Sequence, residues 1–253
     1  MIENAPSDPV RRLGDWLRAA GLDLSVVRPF DGDPLPDTFD GHAALVVLGG
    51  PQRLHGDPGG AGASWLADER ALLRRAVADR VPTLAICLGA QLLAQAHGGT
   101  VAAAVAGPEL GPKLVARRDA ADHDPLFAAV PFTPDVIQWH FDEIVELPPG
   151  AELLATSTRY AHQAFRIGPR AWATQFHIEP DAEMVTAWAR KDAPHLVELG
   201  LDPRAVAEAA VAALDEVAQV WRPFAERFAG LALGTLRPDA ATDPARRLSI
   251  LGE

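Results

Sequence analysis

Residues 81–99, VPTLAICLGAQLLAQAHGG, constrain the fold of this chain more than any other stretch. The apolar run of residues 83–86 has the length of a strand and stops at Cys87, and a helical pattern follows that ends in a pair of glycines. A nucleophile at a sharp strand-to-helix turn needs small neighbours, and Ala85 and Gly89 stand two residues to either side. The helix N-terminus favours the thiolate, the reactive form of cysteine. A lone cysteine is more often a small buried side chain, but this setting favours a nucleophile.

The composition excludes several classes of protein. The net charge of −11 argues against a nucleic-acid binder, which needs a basic face. The single cysteine cannot form an internal disulfide, which is typical of a reducing compartment. No apolar run reaches the roughly 18 residues that span a bilayer, and the N-terminus lacks the apolar core of a signal peptide. We therefore expect a cytoplasmic protein with neither a nucleic-acid nor a membrane partner.

The first hundred residues alternate between strand and helix patterns. Residues 43–48 form a continuous apolar run, which is typical of a strand buried on both faces of a parallel sheet. Residues 65–80 have the spacing of an amphipathic helix. This alternation predicts an α/β fold with a mostly parallel central sheet and helices on both faces.

The rest of the chain changes character. Short strand patterns separated by Gly- and Pro-containing turns predict a small antiparallel β region between residues 101 and 176. From residue 181 onward the pattern is helical. We therefore divide the chain into a domain of residues 1–190 and a C-terminal helical extension of residues 191–253.

The extension carries an apolar stripe whose members step by three and four. They are Leu214, Val217, Trp221, Phe224 and Phe228. The stripe either packs onto the chain's own sheet or docks a partner or a second copy of the chain. Pro223 interrupts it and is predicted to kink or split the helix, because proline has no N–H and clashes with the preceding turn.

His177 and Glu179 are candidates for the base and for the group that orients it. A thiolate nucleophile needs both, and residues two apart in extended backbone face the same side. The pair ends the strand-like run 172–176, and open α/β sheets place their sites at the carboxyl ends of strands. The alternative is an ordinary surface pair of charged side chains.

Two backbone N–H groups are candidates for an oxyanion hole. A tetrahedral intermediate needs donors aimed at its oxygen. Leu88, directly after Cys87, is expected to supply one of them. Gly50 is expected to supply the other, since it follows a neighbouring strand and has no Cβ to prevent close approach. An ordinary Gly-Pro turn at Gly50 and Pro51 is the other interpretation.

These segments together carry a resemblance to a known family. The segment ICLGAQLLA, the GG upstream of it and the QFHIEP downstream resemble the class I glutamine amidotransferases, and more closely their stand-alone, GMP-synthase-like members. The resemblance covers roughly residues 45–180 in matching order. It implies a flavodoxin-like fold and a catalytic triad of Cys87, His177 and Glu179, with the oxyanion hole described above.

The same resemblance implies substrate-binding roles for two further residues, and at one position this chain differs from the family's usual sequence. It places Gln91 in contact with bound glutamine and His140 at the rim of the pocket. A packed strand with a fully hydrogen-bonded His140 is the alternative. The family usually has Pro where this chain has Ile178, which is expected to loosen the local backbone. The remaining histidines show no metal-ligand spacing, and we expect neither a metal nor a cofactor.

The expected activity is hydrolysis of the side-chain amide of glutamine through a cysteine thioester, giving glutamate and ammonia. The chain has no GxxxxGK[ST] motif, so the ammonia is expected to reach an acceptor on a separate protein, such as a synthetase subunit. A homodimer is the other partner considered. The alternatives are a γ-glutamyl peptidase or hydrolase that uses the same triad, and a catalytically silent binding protein with this fold.

Overall fold

The structure is a computed structural model, and it describes residues 1–55 and 63–237. The last part of the predicted extension, residues 238–253, lies outside the described residues. Within the described ranges the α-helices are α1 (Arg11–Ala19), α2 (Trp65–Ala78), α3 (Leu88–Ala96), α4 (Ala182–Lys191), α5 (Ala193–Glu198) and α6 (Pro203–Ala232). The strands are β1 (Leu45–Val47), β2 (Thr83–Ile86), β3 (Thr100–Ala103), β4 (Glu109–Leu114), β5 (Ala116–Arg117), β6 (Asp135–His140), β7 (Asp142–Glu146), β8 (Glu152–Thr156), β9 (Ala164–Ile167) and β10 (Ala171–Thr174).

A six-stranded mixed sheet forms the centre of the molecule, in the order β1-β2-β10-β9-β8-β5. β1, β2 and β10 run parallel, and each later neighbour pairs antiparallel. The sheet continues past β10 through a hairpin, whose turn begins at Gly168 with φ of +56°. The predicted α/β fold is confirmed. Its antiparallel part is larger than the small region expected, because the hairpin extends the central sheet itself.

Two smaller antiparallel sheets, β3–β7 and β4–β6, complete the strand pairing. On the N-terminal side, Ile2 makes parallel bridges to Val27 and to Val47, so the first residues of the chain extend the parallel part of the central sheet. The segment that follows Ile2 therefore lies near the end of β1, beside the turn that holds Cys87.

Helices cover both faces of the sheet. Leu45 and Val47 of β1 belong to a core cluster with α2 and α3, whereas Val46 belongs to a second cluster with α1, α4 and α6. Successive side chains of a strand point to opposite faces, so both faces of β1 are buried. This is the arrangement that the continuous apolar run of residues 43–48 predicted.

The apolar stripe of the extension packs against the chain's own core. All five of its members are buried in the cluster that includes α1 and α4, and the indole N–H of Trp221 donates to the carbonyl of Asp135 at 2.9 Å. These contacts support the packing interpretation over docking. The boundary at residue 190 stays a prediction and falls inside α4.

The predicted split of the long helix at Pro223 does not occur. α6 runs unbroken through this proline. Pro223 lies on the exposed side of the helix, while Trp221 and Phe224 beside it are buried. Tertiary burial of the apolar stripe thus outweighs the lost hydrogen bond. In the described part of the chain, no helix has both the length and the apolar character needed to cross a bilayer.

Candidate active site

Cys87 occupies the turn between β2 and α3. Its backbone has φ of 53° and ψ of −106°, a region that costs a side-chain-bearing residue roughly 1–3 kcal/mol. The turn is fixed from outside, because the Cys87 N–H donates to the carbonyl of Thr174 on β10 at 2.8 Å. The next residue, Leu88, begins the helix. The sulfur therefore stands at a strained turn with the N-terminal end of a helix behind it.

Gly89 allows this turn to pack against β1. A Cβ at this position would lie 2.4 Å from the backbone oxygen of Val47, much closer than a real contact permits. The small residue expected on this side of Cys87 is therefore required by the approach of two backbones.

His177 and Glu179 meet as their spacing predicts. The His177 Nδ1–H donates to Glu179 Oε1 at 2.5 Å, and both side chains are buried. The backbone N–H of Ile178 donates to Glu179 Oε2 at 2.9 Å. The family usually has proline at this position, and proline has no N–H. Ile178 therefore gives the Glu179 carboxylate a donor that a proline would not. The backbone is also held by hydrogen bonds in both directions between His177 and Ile137.

The imidazole lies close to Cys87, and Cys87 is one of the groups that raise the pKa of His177. A Cβ at Gly49 would lie 3.0 Å from His177 Cε1 and 3.6 Å from Cys87 Cβ, so both side chains pack close to this glycine. Burial opposes the charged form of His177, but the charges of Glu179 and Cys87 and their hydrogen bonds outweigh it and hold the pKa of His177 well above its usual value. The site thus favours an imidazolium next to the sulfur.

Gly50 lies against the side chain of Leu88, the residue that follows Cys87. A Cβ at Gly50 would stand 2.9 Å from Leu88 Cδ2, 3.0 Å from Asn4 Cβ and 2.2 Å from Gln52 Oε1. Among the described residues, neither Gly50 nor Leu88 has an acceptor for its N–H. Two unengaged donors at this place have the chemistry that an oxyanion needs.

Gln91 and Gln175 form a chain of amides below the sulfur. Gln175 Nε2 donates to Cys87 Sγ at 3.7 Å, and Gln175 Oε1 accepts from Gln91 Nε2 at 3.1 Å. Gln91 lines the pocket, and its contact with bound glutamine stays a prediction. Sequence reasoning assigned nothing to Gln175, although its position two residues before His177 in an extended run places both on the same side.

His140 lines the pocket, but its ring is only 2% exposed. Nδ1 contacts the carbonyl of Asp142 at 2.8 Å, and Nε2 contacts Glu109 Oε2 at 3.3 Å. Both ring nitrogens are therefore engaged within the protein. This arrangement favours the alternative of a packed, hydrogen-bonded histidine, and a substrate-binding role for His140 stays a prediction.

Asp142 organises one side of the pocket and was not identified from the sequence. Its carboxylate accepts from Arg53 Nη1 at 2.8 Å and contacts His55 Nδ1 at 2.9 Å. Its backbone carbonyl contacts His140 and accepts from Gln91 Nε2 at 3.4 Å. The only sequence signal was its place in the segment WHFD.

The pocket above the sulfur contains about 650 Å³ of empty space, its open mouth included. Its lining includes residues of the segment after β1, Gln91, Asp142 and His177. Residues of the N-terminal segment and of the end of α4 also line it: Ser7, Asp8, Trp188, Lys191 and Asp192. In the described part of the chain, no three His, Cys, Asp or Glu side chains gather as a metal site would require.

The sequence matches the family model described as "Glutamine amidotransferase class-I" over residues 10–184. The chain belongs to the class I glutamine amidotransferase family. The matched range contains all of the site residues that the sequence predicted, from Gly50 to Glu179.

Relatives of this family member include both peptidases and synthases. It is 28% identical to "Gamma-glutamyl peptidase 3" of Arabidopsis thaliana over 65% of this chain and 66% of that protein. It is 38% identical to "GMP synthase [glutamine-hydrolyzing]" of Thermomicrobium roseum over 53% of this chain and 23% of that protein. The alignments thus span less than two thirds of the length of these relatives.

A solved structure supports the family fold. The chain superposes on a glutamine amidotransferase from Thermotoga maritima with a TM-score of 0.78 and 26% identity, covering 90% of this chain and 96% of the other. The likeness therefore extends over the C-terminal helices as well as the central sheet.

Proposed function

We propose that this family member hydrolyses the side-chain amide of glutamine, or of a related γ-glutamyl compound, through a thioester at Cys87. The observation that carries the proposal is the position of Cys87, at its strained turn, close to the buried His177–Glu179 pair. A sulfur, an imidazole and an orienting carboxylate in this order form a nucleophile, its base and the group that holds the base.

The first half of the reaction is acylation. Cys87 Sγ attacks the amide carbon, and the N–H groups of Gly50 and Leu88 donate to the oxygen as it becomes negative. The carbon–nitrogen bond then breaks while the imidazolium of His177 gives its proton to the leaving nitrogen. The products of this half are an amine, or ammonia from glutamine, and a thioester on Cys87.

The second half is hydrolysis of the thioester. Neutral His177 takes a proton from a water molecule, whose oxygen attacks the thioester carbon. The carbon–sulfur bond breaks, glutamate leaves, and the thiolate and imidazolium are restored. Glu179 holds the ring through Nδ1 and stabilises its charged form throughout.

The ammonia released from glutamine needs an acceptor. We infer an acceptor on a separate protein, a synthetase subunit, with a second copy of this chain as the other candidate partner, and a cytoplasmic location. The names of relatives such as GMP synthase and aminodeoxychorismate synthase support a synthetase partner. The γ-glutamyl peptidases of Arabidopsis support the second candidate function, hydrolysis of a γ-glutamyl amide by the chain alone. The third candidate is a binding protein that has this fold but no catalytic activity.

The test is ammonia and glutamate release by wild-type protein and by Cys87→Ala. We expect the variant to lose at least ~10³-fold of the activity while keeping its fold. Because Cys87 is the single cysteine of the chain, a glutamine-like electrophile should also add its mass once to the wild type and not to the variant. Wild-type rates in Cys87→Ala would refute the assignment, and a folded wild type that takes no label would favour the silent reading.

A further inference from the structure

Asn4 is fully buried at the place where β1 ends and the segment that carries Gly50 begins. The N–H of Leu48 donates to the carbonyl of Ile2 at 3.0 Å, as in a continued sheet. The carbonyl of the same Leu48 accepts from the side chain of Asn4, through Nδ2, at 3.2 Å. The Asn4 side chain therefore continues the hydrogen bonding between the N-terminal segment and β1 beyond the last residue of the strand.

Asn4 also contacts the segment after β1 at two further residues. Its backbone carbonyl accepts from Gln52 Nε2 at 2.9 Å. A Cβ on Gly50 would lie 3.0 Å from Asn4 Cβ, so the backbone of Gly50 packs directly against Asn4. The contacts at Leu48 and Gln52 lie on either side of Gly50 in the sequence. Asn4 thus restrains this segment before, at and after the residue whose N–H is the proposed oxyanion donor.

The side-chain amide of Asn4 is itself held by α2. Nδ2 donates to Glu69 Oε1 at 3.1 Å, and Oδ1 accepts from the indole N–H of Trp65 at 3.0 Å. An amide group has two hydrogens to donate and one oxygen to accept. Together with the bond to Leu48, these contacts engage both ends of the amide. The orientation of the Asn4 side chain is therefore fixed by a helix of the core.

The position of the Gly50 N–H is decisive for the proposed reaction. A donor of an oxyanion hole is effective when it lies about 3 Å from the place that the oxygen takes in the transition state. Glycine populates more backbone conformations than other residues, so a Gly49–Gly50 pair does not hold this position by itself. The contacts of Asn4 supply the restraint that the two glycines lack.

We infer that Asn4 is a positioning residue of the proposed reaction, which holds the Gly50 N–H where it can donate to the oxyanion. Asn4 does not line the pocket, so it acts through Gly50 rather than on the substrate. The inference rests on the proposed function and concerns a residue to which the sequence analysis assigned no role.

The first test compares glutamine hydrolysis by the wild type and by Asn4→Ala. We expect kcat to fall by about 10²-fold, as when one oxyanion donor is lost. KM should change little, because the amide oxygen becomes negative only in the transition state. Alkylation of Cys87 by iodoacetamide forms no oxyanion, so its rate should stay at the wild-type value. A general disturbance of the site would instead lower kcat and the alkylation rate together.

Two substitutions of Glu69 give a second test that leaves Asn4 in place. Glu69→Leu removes the oxygen that orients the Asn4 amide and should lower kcat by at least about 5-fold, since small misplacements are costly. Glu69→Gln keeps an acceptor and should retain a kcat close to that of the wild type at pH 7. Burial raises the pKa of Glu69 to about 8, so at this pH the glutamine replaces an uncharged acid.

Thr83→Ala is the control for the loss of a buried hydrogen bond. The hydroxyl of Thr83 donates to the carbonyl of Val81 at 2.9 Å, at the opposite end of β2 from Cys87. This variant should keep the wild-type kcat and alkylation rate.

The inference is overturned if Asn4→Ala keeps the wild-type kcat, if its loss lies in KM instead, or if its kcat and alkylation rate fall together. If Asn4→Ala does not fold, the two Glu69 variants decide, and an equal kcat in both overturns the inference. In all these cases, Cys87-dependent release of ammonia by the wild type leaves the proposed function intact. A wild type without such release overturns both.

Discussion

At the scale of the residue, the site depends on a charge held at one imidazole. The ring of His177 is buried, which alone would favour its neutral form, yet Glu179 and Cys87 raise the pKa of His177 well above its usual value. The bond to Glu179 at 2.5 Å also leaves Nε2 as the nitrogen available to a substrate. One carboxylate therefore sets both the charge and the orientation of the proposed acid and base.

Replacing Glu179 by Gln tests the role of its negative charge, because glutamine has nearly the same size and shape but no charge. Loss of the negative charge lowers the pKa of His177, so the imidazolium is lost at a lower pH than in the wild type. We expect kcat to fall by about 10²- to 10⁴-fold, and the alkaline limb of the kcat/KM profile to move to lower pH. Glu183→Gln, at an exposed position on α4, is the control. An unchanged pH profile in Glu179→Gln would contradict this role.

At the scale of the element, α6 shows how packing overrides a local rule. Proline within a helix costs about 3 kcal/mol relative to alanine, yet α6 continues through Pro223 because its apolar stripe is buried against the core. Pro203 is different, because it stands at the first position of the same helix, where its missing N–H has no helical partner.

Pro223→Ala should therefore stabilise the protein. The substitution restores the N–H that can donate to the carbonyl of Gln219, and the exposed position leaves the core unchanged. We expect the free energy of unfolding to rise by about 1–3 kcal/mol in urea denaturation. Pro203→Ala is the matched control and should give no such gain. If both substitutions changed the free energy of unfolding equally, Pro223 would not destabilise the interior of α6.

At the scale of the whole molecule, a buried polar network joins the N-terminal segment, α2 and the segment after β1. Asn4 Nδ2 donates to Glu69 Oε1 at 3.1 Å and to the carbonyl of Leu48 at 3.2 Å. Gln52 Nε2 donates to the carbonyl of Asn4 at 2.9 Å. Burial raises the pKa of Glu69 from 4.5 to about 8, so at neutral pH the acid form lies inside this network.

The raised pKa of Glu69 predicts that the free energy of unfolding depends on pH. Between pH 4.5 and about 8 the unfolded chain releases the Glu69 proton while the folded chain keeps it. The contribution of Glu69 to stability therefore falls as the pH rises through this window, by up to about 5 kcal/mol, and is flat above it. Glu69→Gln should be more stable than the wild type at pH 8 by urea denaturation, with little difference at pH 5. A constant difference across this range would contradict the assignment.

Much of the fold and site could be predicted because the decisive signals are local. The turn at Cys87 follows from small residues at fixed spacing, the His177–Glu179 contact follows from the two-residue period of a strand, and the burial of β1 follows from an uninterrupted apolar run. Each of these three features depends on residues close together in the sequence, so it can be predicted without knowledge of the tertiary contacts.

Other features depend on where distant segments meet. The extent of the antiparallel part of the sheet, the passage of α6 through Pro223, and the positions of Gln175 and Asp142 are set by burial and pairing between remote parts of the chain. Asp8 shows this most clearly, because it becomes a neighbour of His177 only when the N-terminal segment packs beside β1 and α4. The sequence by itself determined which groups the proposed chemistry uses, since their geometry is encoded in short-range spacing. Only the tertiary structure decided what surrounds them, since burial and electrostatic environment are properties of the assembled core.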